Sequence, residues 1–410
     1  MVREGVVCKM GKEKALVVVV AVCIAYCAFA LKGEFEREDP AMVVGSGVVT
    51  NGVKWIDGRF LPIEGRAFDN VEHYYDRLPV DITTNVNMGV RGRRHTTSGM
   101  LFRFTTDSKH LHFRWTPYYS GYYMPNMPAT AHSGIDVYRY DAAKGKWLYV
   151  KTGRTKRDGE NLTASTALDI EWKPGTPCLV NLPLYNGVRE FTLGIDTNAT
   201  VKALPPRASG IDRPVVFYGT SITQGASSTR PGLAFVNRVG RDLDVPVVGL
   251  GFAGSGVMEL EMSDLLARID ASCYVLDCLW NMNDPSPKDG EAFHDMYAAG
   301  FDPKDKIPVV RFRYEPFIRN LRAKRPGVPI VMAEQSDGFK CGRFDEKNKF
   351  IRKLYDKLVA EGWKNLVYLP NDNMYSDDME GTVDGNHPND SGMASMAKAF
   401  GGAVRKALHL

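Results

Sequence analysis

The chain has 410 residues, 44% of them hydrophobic, 24% charged and 10% aromatic, with a formal net charge of +4. That length holds two or three domains, and the composition excludes a disordered or low-complexity chain. So small a charge gives no ground for nucleic acid or an anionic membrane surface as a partner.

Residues 1–30 carry Arg3, Lys9, Lys12 and Lys14 against Glu4 and Glu13, followed by an apolar run with Ala28-Phe29-Ala30 near its end. A basic stretch, an apolar run and an A-x-A site describe a secretory signal, so export to a periplasm or to the outside is expected. The run is slightly long, which leaves an uncleaved membrane anchor as the alternative. After signal cleavage no strong membrane partner is expected. Of the 7 cysteines, Cys8, Cys23 and Cys27 fall in this leader, and the bulky Tyr26 argues against a lipid on Cys27. Cys178, Cys273, Cys278 and Cys341 form no C-x-x-C pair, which predicts buried free thiols, with one bridge left open, and not a disulfide framework. The 8 histidines show no H-x-x-x-H spacing, so neither a metal nor a cofactor is expected. Sequons at Asn161 and Asn198 matter only in a glycosylating host.

Residues 31–205 read as an all-β, jelly-roll-like antiparallel sandwich. Strand-like segments cover 101–105, 110–115, 135–138, 147–151, 178–182 and 190–195. Turn signals separate them, among them Asp107-Ser108, Lys144-Gly145, Pro174-Gly175 and Asn186-Gly187. Tyr118, Tyr119, Tyr122 and Tyr123 lie near Trp115 and offer a sugar-stacking platform, or simply core and structured loop. His132 shares that loop; by default it is a surface histidine, though the loop can bring it to the catalytic rim.

Residues 211–410 change period. Apolar runs at 215–218, 245–249, 271–278, 328–333 and 365–369 alternate with helical patterns, such as Phe350, Ile351, Leu354 and Leu358, or Met393, Met396, Ala397, Phe400 and Val404. This predicts an α/β fold, a doubly wound parallel sheet of five strands with helices on both faces. Ligands bind beyond the carboxyl ends of such strands. Ser221 follows the first run, Gly254 the second and Asn281 the third, while Asp384 and His387 lie beyond the fifth. A serine hydroxyl needs a base, usually an imidazole held by a third group, and Asp384 three residues before His387 lets one tight loop present both. The combination points to acyl transfer. Singly, Ser221 reads as a turn residue or helix cap, and Asp390 or Ser391 as the cap of the last helix. The glycine-rich run 249–256 opens no dinucleotide-binding unit, because no acidic residue follows at the required distance.

Ser221 in Gly219-Thr220-Ser221-Ile222-Thr223, the run Gly249-Leu250-Gly251-Phe252-Ala253-Gly254-Ser255-Gly256, Asn281 after the third strand and Asp384-Gly385-Asn386-His387-Pro388 resemble the GDSL/SGNH hydrolase superfamily. Ser133-Gly134-Ile135-Asp136-Val137-Tyr138 and Glu380-Gly381-Thr382-Val383 are similar to its two-domain bacterial members, in which a β-sandwich precedes the hydrolase domain. The resemblance implies Ser221 as nucleophile, His387 as base and then acid, and Asp384 as its orienting partner. It implies an oxyanion hole from the Ser221 and Gly254 N–H groups and the Asn281 amide. Many members carry glycine before that asparagine; Trp280 stands here and, with Tyr122, Tyr123 and His132, is a candidate substrate contact. The expected substrate is an acylated carbohydrate or other small ester, with acetyl groups foremost. A lipid or short-chain acyl esterase, an acyltransferase, and a silent carbohydrate-binding protein are the alternatives. Oligomeric state is not legible.

Overall fold

The computed structural model describes residues 43–44, 47–82, 86–155, 166–283, 305–336, 345–372, 374–375, 378 and 380–410. The leader, Asn161 and Cys341 lie outside the described residues. Glu38–Leu410 make one compact unit. No helix among the described residues is long and apolar enough to cross a membrane.

The first half forms two antiparallel sheets. One runs, in spatial order, Val43–Val44, Val201–Ala203, Leu101–Thr106, Pro177–Asn181, Ile135–Asp141 and Lys146–Gly153, with Ile63–Glu64 beside Leu101–Thr106. The other runs Val48–Thr50, Val53–Asp57, Val188–Asp196, His110–Pro117 and Thr166–Glu171. Alternation does the sorting: in His110–Pro117, Leu111, Phe113 and Trp115 are buried while His110 and Arg114 are exposed. Phe113 sits opposite Leu193 and Trp115 opposite Phe191, and Phe191 leans on Phe102 of the facing sheet with ring centroids 4.6 Å apart. Trp115 is core, its indole N–H donating to Ser133 O at 2.9 Å, so it stacks on no sugar. Tyr118 lies flat on His95 at 4.2 Å.

The second half is a parallel sheet in the spatial order Val247–Gly251, Val215–Gly219, Cys273–Asp277, Ile330–Ala333 and Leu366–Leu369, that is, second, first, third, fourth, fifth. The three central strands, Val215–Gly219, Cys273–Asp277 and Ile330–Ala333, are wholly buried, as a sheet covered on both faces requires. Successive residues of the first strand feed opposite faces. Phe217 packs on Phe235 and Phe400, from helices Phe235–Leu243 and Asp390–Leu408. Tyr218 stacks on Phe317 of helix Pro308–Lys324 at 5.6 Å. Register places Gly219 level with Gly251 and Asp277, so three strand ends share one rim. The last helix is capped by Asn389, whose side chain takes the N–H groups of Ser391 and Gly392, and not by Asp390 or Ser391. Asp390 instead accepts from Thr229 N. Cys178, Cys273 and Cys278 are buried free thiols.

Two buried ions of the first half hold the second by its backbone. Asp136 takes the Gly232 N–H and Arg230 Nη1, each at 2.9 Å, and Asn181 Nδ2 at 2.8 Å. Burial pushes its carboxyl above the usual range against the pull of these partners. Arg77 donates to Gly249 O at 3.0 Å, Gly251 O at 2.8 Å and Arg93 O at 3.0 Å, with its guanidinium 4.6 Å from the Phe252 ring. Burial lowers it to about 9, so it stays a cation at neutral pH. Between them the backbones nearly touch: a Cβ on Gly99 would meet Gly249 N at 2.6 Å.

Removing one partner of a buried pair strands the other, at a cost of about 3–5 kcal/mol. Asp136→Ala should therefore lower the urea unfolding free energy by about that much, and Asp136→Asn by less. Equal midpoints for Asp136→Ala and the parent would show that the contact contributes nothing.

Candidate active site

Ser221 opens the helix Ser221–Gln224, immediately beyond the first parallel strand. A capping box forms the turn: Thr220 Oγ1 accepts from Ile222 N, and Thr223 Oγ1 accepts from Thr220 N, each at 3.2 Å. Thr223 then donates to Asp277 Oδ2 at 2.7 Å, which ties the turn to the end of the third strand. Two contacts arrive from the first half. Tyr185 Oη donates to Ser221 O at 3.2 Å, and Ser98 Oγ to Gln224 O at 2.8 Å.

The histidine comes from the loop before the last helix. Ser221 Oγ lies 2.9 Å from His387 Nε2, and His387 Nδ1 lies 2.7 Å from Asp384 Oδ2. A carboxylate only accepts, so Nδ1 carries the proton and Nε2 offers its lone pair to the hydroxyl. Asp384 Oδ1 also takes the N–H groups of His387 at 2.7 Å and Asn386 at 3.0 Å. Burial pushes the Asp384 carboxyl up, but these hydrogen bonds prevail and hold it below the ordinary range. Val383 N to His387 O at 3.0 Å and Asn389 N to Gly381 O at 3.0 Å close the loop.

The donors of the expected oxyanion site lie along the same rim. Among the described residues, no acceptor takes the N–H of Ser221 or Gly254. Gly254 has φ +69°, the left-handed region that glycine enters at no cost, with open space where a Cβ would be. Asn281 Oδ1 accepts from Gly256 N at 3.2 Å, which leaves its Nδ2 donor without an acceptor among the described residues.

The remaining candidates fall in three places. Trp280 spends its indole N–H on Ser336 Oγ at 2.8 Å; Ser336 donates to Tyr375 Oη at 2.9 Å, and Tyr375 to Asn386 O at 2.8 Å. Trp280 thus braces the loop that carries His387. Tyr122 and Tyr123 pack edge to face at 5.1 Å, and Tyr123 is 61% exposed. His132 is not a surface histidine: it is buried, its Nδ1 lies 2.8 Å from Ser133 Oγ, and burial lowers it to about 4, so it is neutral. Its ring sits 6.1 Å from that of Tyr185, which reaches Ser221. One further grouping was not announced by spacing: Glu72, His73, Asp76 and His95 offer ligand atoms within 4.8 Å of one another. There Asp76 already holds the His95 ring at 2.7 Å, and Glu72 pairs with Arg94.

Residues 212–405 match the GDSL-like Lipase/Acylhydrolase family, and residues 53–201 match the N-terminus of the Esterase_SGNH_hydro-type. No curated protein matches the chain. A Bacteroides ovatus ATCC 8483 protein described as a GDSL-like lipase is 28% identical over 87% of this chain and 98% of its own, with a TM-score of 0.71. The salicylyl-acyltransferase SsfX3 of a tetracycline biosynthetic pathway is 18% identical over 87% of this chain and 98% of its own, with a TM-score of 0.66. A family two carbohydrate esterase from Cellvibrio japonicus is 12% identical over the same shares, 87% and 98%, with a TM-score of 0.52. With these last two the chain shares the fold.

Asp277, wholly buried beneath the Ser221 turn, is pushed up to about 7 by burial against the pull of Thr223. An acid whose folded pKa exceeds its unfolded value binds more protons folded, so stability falls as pH rises between about 4 and 7. Asp277→Asn keeps an acceptor for Thr223 and removes the ionisation. Its melting temperature should gain on the parent as pH rises from 4 to 7, read by calorimetry; a constant difference across that window would refute the assignment.

Proposed function

With the chain in the GDSL-like lipase/acylhydrolase family through residues 212–405, and an SGNH-type esterase, we propose that it removes short acyl groups, acetyl foremost, from a carbohydrate after export. The Ser221–His387–Asp384 hydrogen-bond chain, at 2.9 and 2.7 Å, carries this reading.

Ser221 Oγ attacks the ester carbonyl while its proton passes to His387 Nε2. The carbonyl oxygen becomes an oxyanion and takes the N–H groups of Ser221 and Gly254 and the Asn281 Nδ2. Asp384, ionised because its hydrogen bonds depress it, steadies the imidazolium. That imidazolium gives its proton to the departing sugar oxygen, and an acyl-enzyme remains. Water, deprotonated by His387, attacks the acyl carbon; the acid leaves and Ser221 regains its proton.

A β-sandwich half beside a parallel-sheet half, a fold shared with a carbohydrate esterase, supports a glycan substrate. The basic-apolar leader supports export. An acyltransferase runs the same first step with an acceptor hydroxyl in place of water, a reading favoured by the likeness to SsfX3.

Turnover of a chromogenic acetyl ester tests the assignment. Ser221→Ala and Asp384→Asn should each cost at least about 10⁴-fold in kcat, and Asn281→Ala about 100- to 1,000-fold. Parental turnover in Ser221→Ala removes the nucleophile. Free acetate released from an acetylated polysaccharide in water, faster than longer acyl chains, separates hydrolysis of acetyl esters from transfer.

A further inference from the structure

The short helix Met88–Gly92 lies directly on the glycine-rich turn of the site. Asn87 Nδ2 donates to Ser255 O at 3.2 Å, and a Cβ on Gly89 would meet Ser255 Oγ at 1.9 Å. Ser255 adjoins Gly254. Arg93, just past that helix, folds its side chain back so that Nη1 donates to Gly89 O at 3.0 Å. Its cationic head therefore lies above the residue that abuts Ser255. Tyr185 feels the same charge. Burial pushes that phenol up, and Arg93 is the strongest of the nearby charges drawing it back. Tyr185 Oη is bonded to Ser221 O at 3.2 Å. Arg93 thus lies over the residue that abuts Ser255, and its charge is felt by the phenol bonded to Ser221 O.

Two nearby arginines are engaged elsewhere. Arg77 is bonded to three carbonyls, and Arg94 is paired with Glu72. Glu259, the carboxylate of this seam, takes Asn87 Nδ2. No carboxylate among the described residues pairs with Arg93. Among the described residues its five N–H donors make one bond, to Gly89 O. A half-buried guanidinium beside the Gly254 turn, paired with no acid among the described residues, leaves a fork matched to a carboxylate.

We propose that Arg93 binds a carboxylate carried by the substrate, so that the favoured substrates are acyl esters of acidic glycans, above all acetylated polyuronates. The proposal rests on the esterase reading for its reaction and on the geometry of Arg93 for its anion. A carboxylate on the acyl side, as in a hemisuccinate ester, presents the same chemistry from the other half of the substrate.

The test compares kcat/KM on acetylated polygalacturonate, a neutral acetylated glucan of equal acetyl content and a hemisuccinate ester. The parent, Arg93→Ala and Arg93→Lys are assayed at low and high salt, with melting curves to verify folding. A charge-assisted pair contributes about 1.5–3 kcal/mol, so the acid-to-neutral ratio should fall about 10- to 100-fold in Arg93→Ala. Lysine, which keeps the charge without the fork, should retain part of it, and salt should erode the parental preference. Preference for the hemisuccinate over the polyuronate places the anion on the acyl side and overturns the glycan assignment. An unchanged ratio in a folded Arg93→Ala, or a parent indifferent to substrate charge, overturns the proposal. A second readout is independent of turnover: calorimetric titration of Ser221→Ala with an oligogalacturonide, with and without Arg93→Ala. If the parent turns over no ester, the esterase reading fails, while loss of oligouronide binding with Arg93→Ala still upholds the anion site and retention of binding rejects it.

Discussion

Two buried ions set the geometry of the whole unit. Asp136 and Arg77 belong to the sandwich half, yet most of their bonds end on the backbone of the other half or beside it. A buried charge is tolerated only when hydrogen bonds surround it, so each ion fixes the position of every group it touches. Arg77 grips the last residues of the second parallel strand, next to the turn that holds Gly254. Asp136 grips the 230–232 turn, from which the chain enters helix Phe235–Leu243. Ser98 and Tyr185 add contacts to the Ser221 helix itself. The rim of the parallel sheet is therefore held from outside as well as from beneath. The motif Gly134-Ile135-Asp136-Val137-Tyr138 finds its physical meaning here, as a fastening device and not as a ligand contact.

The rim that carries Ser221 follows a simple economy of hydrogen bonds. The N–H of Ser221, at a helix start, and that of Gly254, a left-handed glycine, have no acceptor among the described residues. The carboxylate in the histidine loop is saturated by N–H groups, which keeps it charged where an imidazolium would form. Asp277, lacking such donors, stays near neutrality below the turn. Two carboxyls on one rim thus diverge through their surroundings alone.

Much of this was legible in the sequence. The strand at residues 215–218 extends one residue to Gly219, and the run at 245–249 settles as Val247–Gly251, because apolar runs name a strand better than its ends. The order of Ser221, Gly254, Asn281, Asp384 and His387 anticipated one rim, since each follows a strand of one parallel sheet. Val53–Asp57 and Thr166–Glu171 escaped notice: lysine and aspartate interrupt their apolar pattern, and they earn their place by pairing with Val188–Asp196 and His110–Pro117. Arg77 and Tyr185 were invisible for another reason. Their partners lie 172 and 36 positions away, and no local spacing marks an arginine or tyrosine that will be buried. His132 misled in the same way, because its burial is decided by a loop packing near Tyr185.

One contact chain has a wider reach than its length suggests. Trp280, Ser336, Tyr375 and Asn386 pass a hydrogen-bond direction from one residue before Asn281 to one residue before His387. The Asn281 side and the His387 side of the rim are thereby mechanically coupled. Changes at positions 280, 336 and 375 are not independent variables: altering one re-aims two components at once, so their effects will not add. The side chains that carry this coupling are Trp280, Ser336 and Tyr375, whereas Asn386 enters through its backbone carbonyl and leaves its own side chain free to vary.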